Sequence, residues 1–277
     1  MTDKNIKMVA LDLDGTTLRS NGTITERTVS AFEKAMERGV HIIISTGRTF
    51  QSLPKQLFSI DGLEYVVTSN GAHITRLADR KLIYEDHIPA SGVETVVRLL
   101  RGRDISVETF VGGKAYIGQG EYDDVLANGS TYRDAEYIRK TRQPVPDIFD
   151  FLLEHRDAVE NININFEFLE EKERWRKTLE AIEGTTLTSS FIHNFEVGGS
   201  CTSKAAALRY LMEMVGVIPE ELMACGDSPN DAEMLKLAGI GVAVANATED
   251  TKAVADYITD TNGNDGVAKA IEKFVLK

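Results

Sequence analysis

Two pairs of aspartates are the residues most suited to chemistry in this chain. Asp12 and Asp14 follow one apolar run, and Asp227 and Asp231 follow another. Ligands of open α/β sheets bind beyond the carboxyl ends of the strands, so we expect the four carboxylates to converge at one edge. Without a cation they would repel one another, and some of their pKa values would rise. Oxygen donors with no paired Cys or His favour Mg²⁺.

A second group of residues suits an anion. Lys204 lies in the first turn of a predicted helix, although cations are normally favoured at the other end. A bound phosphate would explain this, because helix N-termini and ammonium groups both attract it. Thr46 and Gly47 offer a hydroxyl and a backbone N–H on a strand-to-helix turn. The simpler alternatives are a solvent-exposed lysine and an ordinary capped turn.

Two other phosphate chemistries fit the sequence poorly. The segment 198–205 resembles a P-loop, but Ser203 replaces its second glycine and Ala205 replaces its metal-binding hydroxyl residue. A cysteine phosphatase would need an arginine six residues after its nucleophile. Neither Cys201 nor Cys225 is followed by one, so we interpret them as a loop residue and a buried strand residue.

The elements that must position these residues alternate between apolar runs and helical periodicities at both ends of the chain. This order predicts a parallel α/β sheet with right-handed crossovers, a Rossmann-like core. The predicted strands are 7–11, 40–45, 65–69, 222–225, 240–244 and 257–259. The predicted helices are 25–38, one around 50–57, 203–215, 232–238, 249–255 and 267–275.

The middle of the chain has a different pattern. We predict a hairpin over 105–117, a half-buried strand over 161–168, a helix over 171–183 and further strand from 186 to 197. We expect the acidic run 121–124 to be a solvated loop. These features predict an α+β domain over 85–193, inserted into a core made of 1–84 and 194–277.

Composition excludes several classes of protein. The chain of 277 residues has 43 acidic and 31 basic residues, a formal charge of −12, which disfavours a broad basic surface for nucleic acid. No apolar stretch approaches about 18 residues, so we expect no membrane span. The polar N-terminus and the two cysteines predict a cytoplasmic protein.

Taken in order, four motifs resemble those of the haloacid dehalogenase-like hydrolases. They are Asp-Leu-Asp-Gly-Thr at 12–16, Ser-Thr-Gly-Arg at 45–48, Lys204, and Gly-Asp-Ser-Pro-Asn-Asp at 226–231. Further segments are similar to the Cof-type phosphatases of that superfamily, which carry a large α/β cap domain: 69–72, 238–239, 246–247 and 265–268. Two departures are small: Thr17 stands where leucine is usual, and Ala245 where glycine is common.

This resemblance implies a mechanism. Asp12 would be the nucleophile that forms an aspartyl-phosphate, and Asp14 the general acid and base. Mg²⁺ would be held by the Asp12 carboxylate, the Asp14 carbonyl and Asp227, with Asp231 binding directly or through water. Phosphate or substrate contacts are implied for Leu13, Thr46, Gly47, Arg48, Lys204 and Asn230. For Arg48, contacts with the phosphate, the cap or a carboxylate all remain open.

The expected activity is Mg²⁺-dependent hydrolysis of small phosphorylated metabolites, such as sugar phosphates. The inserted domain would close over the site, exclude water and select the leaving group. One alternative is a phosphomutase of the phosphomannomutase type. Another is a non-enzymatic phospho-aspartate switch, which a resident acid/base at Asp14 disfavours. The expected partner is a small phosphorylated metabolite, with no nucleic acid and no membrane, and the chain could be a monomer or a homodimer.

Overall fold

The computed structural model describes residues 5–130 and 133–277. The first part of the chain forms β1 (Met8–Leu11), α1 (Glu26–Glu37), β2 (His41–Ser45), β3 (Tyr65–Thr68), β4 (His73–Arg76) and β5 (Lys81–Glu85). The middle part forms α2 (Ala90–Leu100), β6 (Ser106–Val111), β7 (Lys114–Gly118), α3 (Gln119–Asn128), α4 (Ala135–Thr141), β8 (Arg142–Val145), α5 (Ile148–Glu154), β9 (Val159–Asn165), α6 (Leu169–Glu180), β10 (Thr185–Thr188) and β11 (Asn194–Gly199). The last part forms α7 (Lys204–Val215), β12 (Leu222–Gly226), α8 (Ala232–Leu237), β13 (Ile240–Ala243), α9 (Glu249–Ala253), β14 (Tyr257–Ile258) and α10 (Gly266–Phe274).

The described residues 5–47, 53–84 and 203–277 form the first of two compact units. Its sheet has the order β14-β13-β12-β1-β2-β3-β4-β5. The pairs from β14 to β3 are parallel, which confirms the predicted parallel core, and β3 pairs with β4 in the antiparallel sense. Strand β1 is central, and all four of its residues are fully buried. A strand that is buried on both faces has a continuous apolar sequence, which is why β1 could be predicted from the sequence.

One helix predicted for this part of the chain is wrong. The region around 50–57 contains two short 3₁₀ turns, Phe50–Ser52 and Lys55–Ser59, with Pro54 between them. Proline has no N–H for a helical hydrogen bond, and it disfavours the helical conformation of the residue before it. The apolar spacing of Phe50, Leu53 and Leu57 therefore does not produce a continuous helix.

The second unit consists of the described residues among 48–52 and 85–202. Its sheet has the order β10-β11-β9-β6-β7-β8, antiparallel except for the pair β7 and β8. One face contributes Ile162 and Ile164 to a core shared with Val93 of α2, Leu152 of α5 and Leu179 of α6. This inserted α+β unit has the class that the sequence predicted.

Its extent differs from the predicted range 85–193. Strand β11 pairs with β9 and β10, so the second unit continues to Thr202. The stretch predicted as one strand-like piece over 186–197 is two paired strands. The acidic run 121–124 is not a solvated loop, because it lies within α3, and Glu121 pairs with Arg133 at 2.7 Å.

Candidate active site

Three carboxylates lie together at one edge of the first sheet. Asp12 follows β1, and Asp227 and Asp231 follow β12, the parallel neighbour of β1. Their ligand oxygens all lie within 4.8 Å of one another. Asp12 and Asp231 are buried, and Asp227 is half-buried. Asp14 lies outside this group, exposed in the turn that follows Asp12.

The ammonium group of Lys204 joins two of these carboxylates. Its Nζ donates to Asp12 Oδ1 at 2.6 Å and to Asp231 Oδ1 at 2.7 Å. Lys204 is the first residue of α7, which begins where Ser203 Oγ accepts the N–H of Ala206. The alternative of a solvent-exposed lysine is wrong, since only 1% of Lys204 is accessible. Its position at the helix start brings a cation to buried acids.

The electrostatics of the group show too little positive charge. Burial raises the pKa of Asp12 well above its ordinary value, and Asp231 and Asp227 add to this, although Lys204 opposes it. Burial, with Asp231, raises the pKa of Asp227 to about 6, against hydrogen bonds from Thr16 and Ser228. Burial lowers the pKa of Lys204, but Asp12 and Asp231 outweigh it and the net shift is upward. One ammonium therefore does not compensate three carboxylates.

Asp231 is held more fully than its neighbours. Its Oδ1 accepts from Lys204, and its Oδ2 accepts the backbone N–H groups of Asp227 at 2.9 Å and Ser228 at 3.1 Å. Asp227 accepts from Thr16 Oγ1 on one oxygen and from Ser228 Oγ on the other. Asp231 thus shapes the loop that presents Asp227.

The turn after Asp12 also depends on Asp227. Gly15 has a φ of +80°, and a Cβ there would lie 2.4 Å from Asp227 Oδ2. Only glycine allows this conformation and this approach without strain. Thr16 Oγ1 donates to Asp227 Oδ1 at 2.9 Å and fixes the far side of the turn. The Asp-x-Asp-Gly-Thr spacing therefore serves both the carboxylates and the turn.

The predicted anion cradle lies beside two amide side chains, Asn230 and Asn70, the second of which lies in the segment 69–72 that is similar to the Cof-type phosphatases. Thr46 is buried after β2, and its carbonyl accepts the N–H of Asn70 at 3.1 Å. Asn230 Nδ2 donates to Asn70 Oδ1 at 3.0 Å. Asn230, which we expected at the phosphate, thus uses its amide first to hold Asn70. The sequence signal for Asn70 was its place after β3, where it adopts a φ of +57°.

Two further predicted contact residues have other surroundings. The Leu13 side chain is fully buried, so only its backbone could contact a phosphate. Arg48 belongs to the second unit, where its Nη1 donates to Ser52 O at 2.9 Å and its guanidinium lies 5.4 Å from the Tyr137 ring centre. Both contacts lie within the second unit, and the three possibilities for Arg48 stay predictions.

A polar cavity in the second unit escaped the sequence analysis. Its volume is about 170 Å³. Glu108 pairs with Arg142 Nη2 at 2.7 Å and with Arg133 Nη1 at 3.3 Å. The cavity is lined by Glu108, Arg133, Asp134, Tyr137, Ile138, Arg142, Asn163, Asn165 and Phe191. The signal was the alternation of asparagine and isoleucine in β9, which predicted one polar face but not its burial.

Comparison with known proteins identifies the family. The family described as haloacid dehalogenase-like hydrolase matches residues 9–271. The chain belongs to it. The predicted resemblance to the haloacid dehalogenase-like hydrolases, and to their Cof-type phosphatases, is confirmed. The match spans both units and includes the Asp12, Lys204 and Asp227 segments.

Several named relatives of this hydrolase are phosphatases. It is 35% identical to the 5-amino-6-(5-phospho-D-ribitylamino)uracil phosphatase YcsE of Bacillus subtilis, over 99% of this chain and 98% of the relative. It is 32% identical to phosphatase YwpJ of the same organism, over 95% of this chain and 98% of the relative. A solved haloacid dehalogenase-like hydrolase from B. subtilis is 30% identical with a TM-score of 0.81, covering 96% of this chain and 99% of that one. The chain is accordingly a phosphoric monoester hydrolase.

Among residues 5–130 and 133–277, none of the helices combines the length and the apolar character needed to cross a bilayer.

Loss of the Lys204 charge should cost stability in a pH-dependent way. With a chelator present to remove divalent metal ions, Lys204→Met should lower the free energy of unfolding by about 3–5 kcal/mol at pH 8, because it leaves buried carboxylates unpaired. The loss should shrink at pH 5.5. The pKa values of Asp12 and Asp227 are raised in the folded protein, so the folded protein binds protons at these groups more tightly than the unfolded chain does. Protonation of these carboxyls therefore stabilises the fold at low pH. For Asp227 this stabilisation is lost as the pH rises through about 6. Urea unfolding at both pH values measures this.

Lys172→Met is the matched control. Lys172 is also buried, but its Nζ donates to Ser189 Oγ and Ile192 O rather than to a carboxylate. Its loss should depend much less on pH over the same range. A Lys204→Met penalty that is equal at both pH values would contradict the charge balance described above.

Proposed function

We propose that this chain is a Mg²⁺-dependent phosphatase of small phosphorylated metabolites that works through an aspartyl-phosphate on Asp12. The observation that carries the proposal is the buried Asp12 carboxylate, held by Lys204 and grouped with Asp227 and Asp231. The family membership and the phosphatase relatives support the reaction class.

The nucleophile is oriented before substrate arrives. Asp12 Oδ1 accepts from Lys204, so Oδ2 is the oxygen left to attack phosphorus in line. As that bond forms, the bond to the leaving oxygen breaks, and Asp14 gives its proton to that oxygen. Water then attacks phosphorus, Asp14 takes its proton, and the Asp12 carboxylate and inorganic phosphate are released.

The donor set fits a hard divalent cation. Its members are carboxylate oxygens within 4.8 Å of one another, in a group with excess negative charge. Asp12 and Asp227, with the Asp14 carbonyl, would hold Mg²⁺, while Asp231 is occupied by Lys204 and two backbone N–H groups. When bound, Mg²⁺ supplies positive charge that offsets the carboxylates and polarises the phosphoryl group.

The chain's own donors would hold the phosphoryl oxygens. We assign this role to the Thr46 hydroxyl, the Gly47 N–H, the Leu13 backbone and Lys204, with Asn230 contributing through its amide. Donors fixed in advance act mainly by stabilising the charge that develops during phosphoryl transfer. The Asn70–Asn230 bond at 3.0 Å would keep Asn230 in place for this work.

We infer that the second unit selects the leaving group. Its cavity is lined by two arginines and two acids, so the lining has no formal net charge, and Asn163 and Asn165 add amide groups. Such a cavity favours an uncharged group rich in hydroxyls or amides. Sugar and polyol phosphates have leaving groups of this kind. Two relatives are named as phosphatases of 5-amino-6-(5-phospho-D-ribitylamino)uracil. That phosphate belongs in the first substrate panel.

The nucleophile is tested by Asp12→Asn, with the exposed Asp61→Asn as control. Phosphate release from p-nitrophenyl phosphate and from sugar, polyol and nucleotide phosphates is followed with and without Mg²⁺. We expect Asp12→Asn to lower kcat at least about 10³-fold, because the amide cannot form the acyl phosphate, and Asp61→Asn to match wild type. Isomerised sugar phosphate in place of free phosphate would indicate a mutase. A long-lived phosphate on Asp12 without turnover would indicate a switch.

The metal is tested through pH. Protons compete with Mg²⁺ for carboxylates whose pKa values are raised, about 6 for Asp227. Calorimetric titration should therefore show Mg²⁺ affinity falling several-fold from pH 7.5 to pH 5.5. Asp227→Asn should weaken binding more than tenfold at pH 7.5, while Asp61→Asn should not. Affinity that is independent of pH would count against these ligands.

The cavity is tested by Asn163→Ala. It should raise KM for a preferred sugar or polyol phosphate about tenfold, since a hydrogen bond to a substrate hydroxyl is worth about 1 kcal/mol or somewhat more. The KM for p-nitrophenyl phosphate should not change. Asn128→Ala, on exposed α3, is the control. Equal KM values in wild type and Asn163→Ala on every substrate would exclude the cavity from substrate selection.

A further inference from the structure

Asn246 connects the turn that carries Asp14 to the loop that follows β14. Its Nδ2 donates to Gly15 O at 2.8 Å. Its Oδ1 accepts the backbone N–H of Asn262 at 2.9 Å, and Asn262 Nδ2 donates to Leu18 O at 2.8 Å. Two asparagines that also bond to each other thus hold two carbonyls of the same turn.

The turn needs such an anchor because its pivot is a glycine. Asp14 is extended, with φ −76° and ψ 121°, and Gly15 reverses the chain with φ 80° and ψ −12°. Glycine has many accessible conformations, so its own backbone does not fix the peptide that follows it. The carbonyl of that peptide is the group to which Asn246 bonds.

Asn246 is itself well placed to act as an anchor. The N–H of Ala245 donates to Asp260 O, and the N–H of Ala247 donates to Val244 O at 3.0 Å. The N–H of Thr248 donates to Asp227 O at 2.9 Å. The backbone is therefore bonded on both sides of Asn246, and one of those bonds leads to the acidic group.

We infer that Asn246 is a positioning residue for proton transfer by Asp14, acting through the Gly15 carbonyl. The inference rests on the proposed function, in which Asp14 protonates the leaving oxygen. The Asp14 side chain is carried by the backbone of this turn, so the position of its carboxylate shifts when that backbone shifts. Loss of the anchor should therefore impair the proton transfer while leaving Asp12 and Lys204, which are buried and paired, in place.

Leaving-group dependence separates this role from a structural one. An alkyl phosphate needs a proton on its leaving oxygen, whereas p-nitrophenolate leaves without one. In Asn246→Ala we expect kcat for the best alkyl phosphate to fall about tenfold or more with little change in KM. For p-nitrophenyl phosphate we expect less than about a threefold fall. Asn264→Ala is the control, since Asn264 lies in the same short turn as Asn262 but its Nδ2 donates to Asp260 Oδ1 and not to the turn that carries Asp14, and it should affect neither substrate.

A second variant and a second readout keep the test decisive. Asn262→Ala removes the bond to Leu18 O but keeps the backbone N–H that Asn246 accepts, so it should show the same selectivity more weakly. Amide hydrogen exchange of residues 13–18, above all of the Leu18 N–H that donates to Leu13 O at 2.8 Å, should accelerate in Asn246→Ala. Equal losses on both substrates, no loss, or unchanged exchange would overturn the inference. A wild type that releases no phosphate would contradict the proposed function instead, because exchange needs no turnover.

Discussion

The buried ammonium of Lys204 is the interaction around which the first unit is organised. A buried charge is costly unless it is paired, so Lys204 can lie there only if Asp12 and Asp231 reach it. That condition requires β1 and β12 to be neighbours in register, and they are, with Leu11 opposite Cys225. It also requires α7 to begin at the carboxyl edge of the sheet, with Lys204 in its first turn.

The loops at the carboxyl edge of the sheet pack closely around the start of α7, where Lys204 lies. Gly71, with a φ of +103°, lies so near the start of α7 that a Cβ would be 2.2 Å from Ser203 O. The loop after β3 therefore packs directly against the residue that caps α7. Asn70 in that loop reaches Thr46 and Asn230, which belong to two other loops. Three separate segments of sequence thus form one rigid surface beside the acidic group.

Local signals in the sequence were sufficient for the parallel strands of the first unit, but they did not predict its strands β4 and β5 or the pairing of strands in the second unit. Buried parallel strands such as β1 and β2 are short apolar runs, and the polar residues after them predict the edge without any long-range information. Strand β11 belongs to the second sheet only because it pairs with β9, and no local pattern reports such pairing. Helix α3 was missed because its sequence is polar, and the contact between Glu121 and Arg133 shows that its acidic face is not fully solvated. Pro54 was visible in the sequence, yet the apolar spacing around it suggested more helix than forms.

The two units handle buried charge in opposite ways, which supports the proposed division between chemistry in the first unit and selectivity in the second. Around Asp12 the carboxylates exceed the ammonium, so the group favours a cation, and with it a phosphate. Around Glu108 the cavity lining has two arginines and two acids, so it carries no formal net charge. Substitutions in the cavity can therefore change which uncharged groups fit there without disturbing the charge balance of the first unit. A chain can in this way keep the Lys204 and Asp12 arrangement while the residues that line the Glu108 cavity diverge, because Lys204 is paired by Asp12 and Asp231 of the first unit.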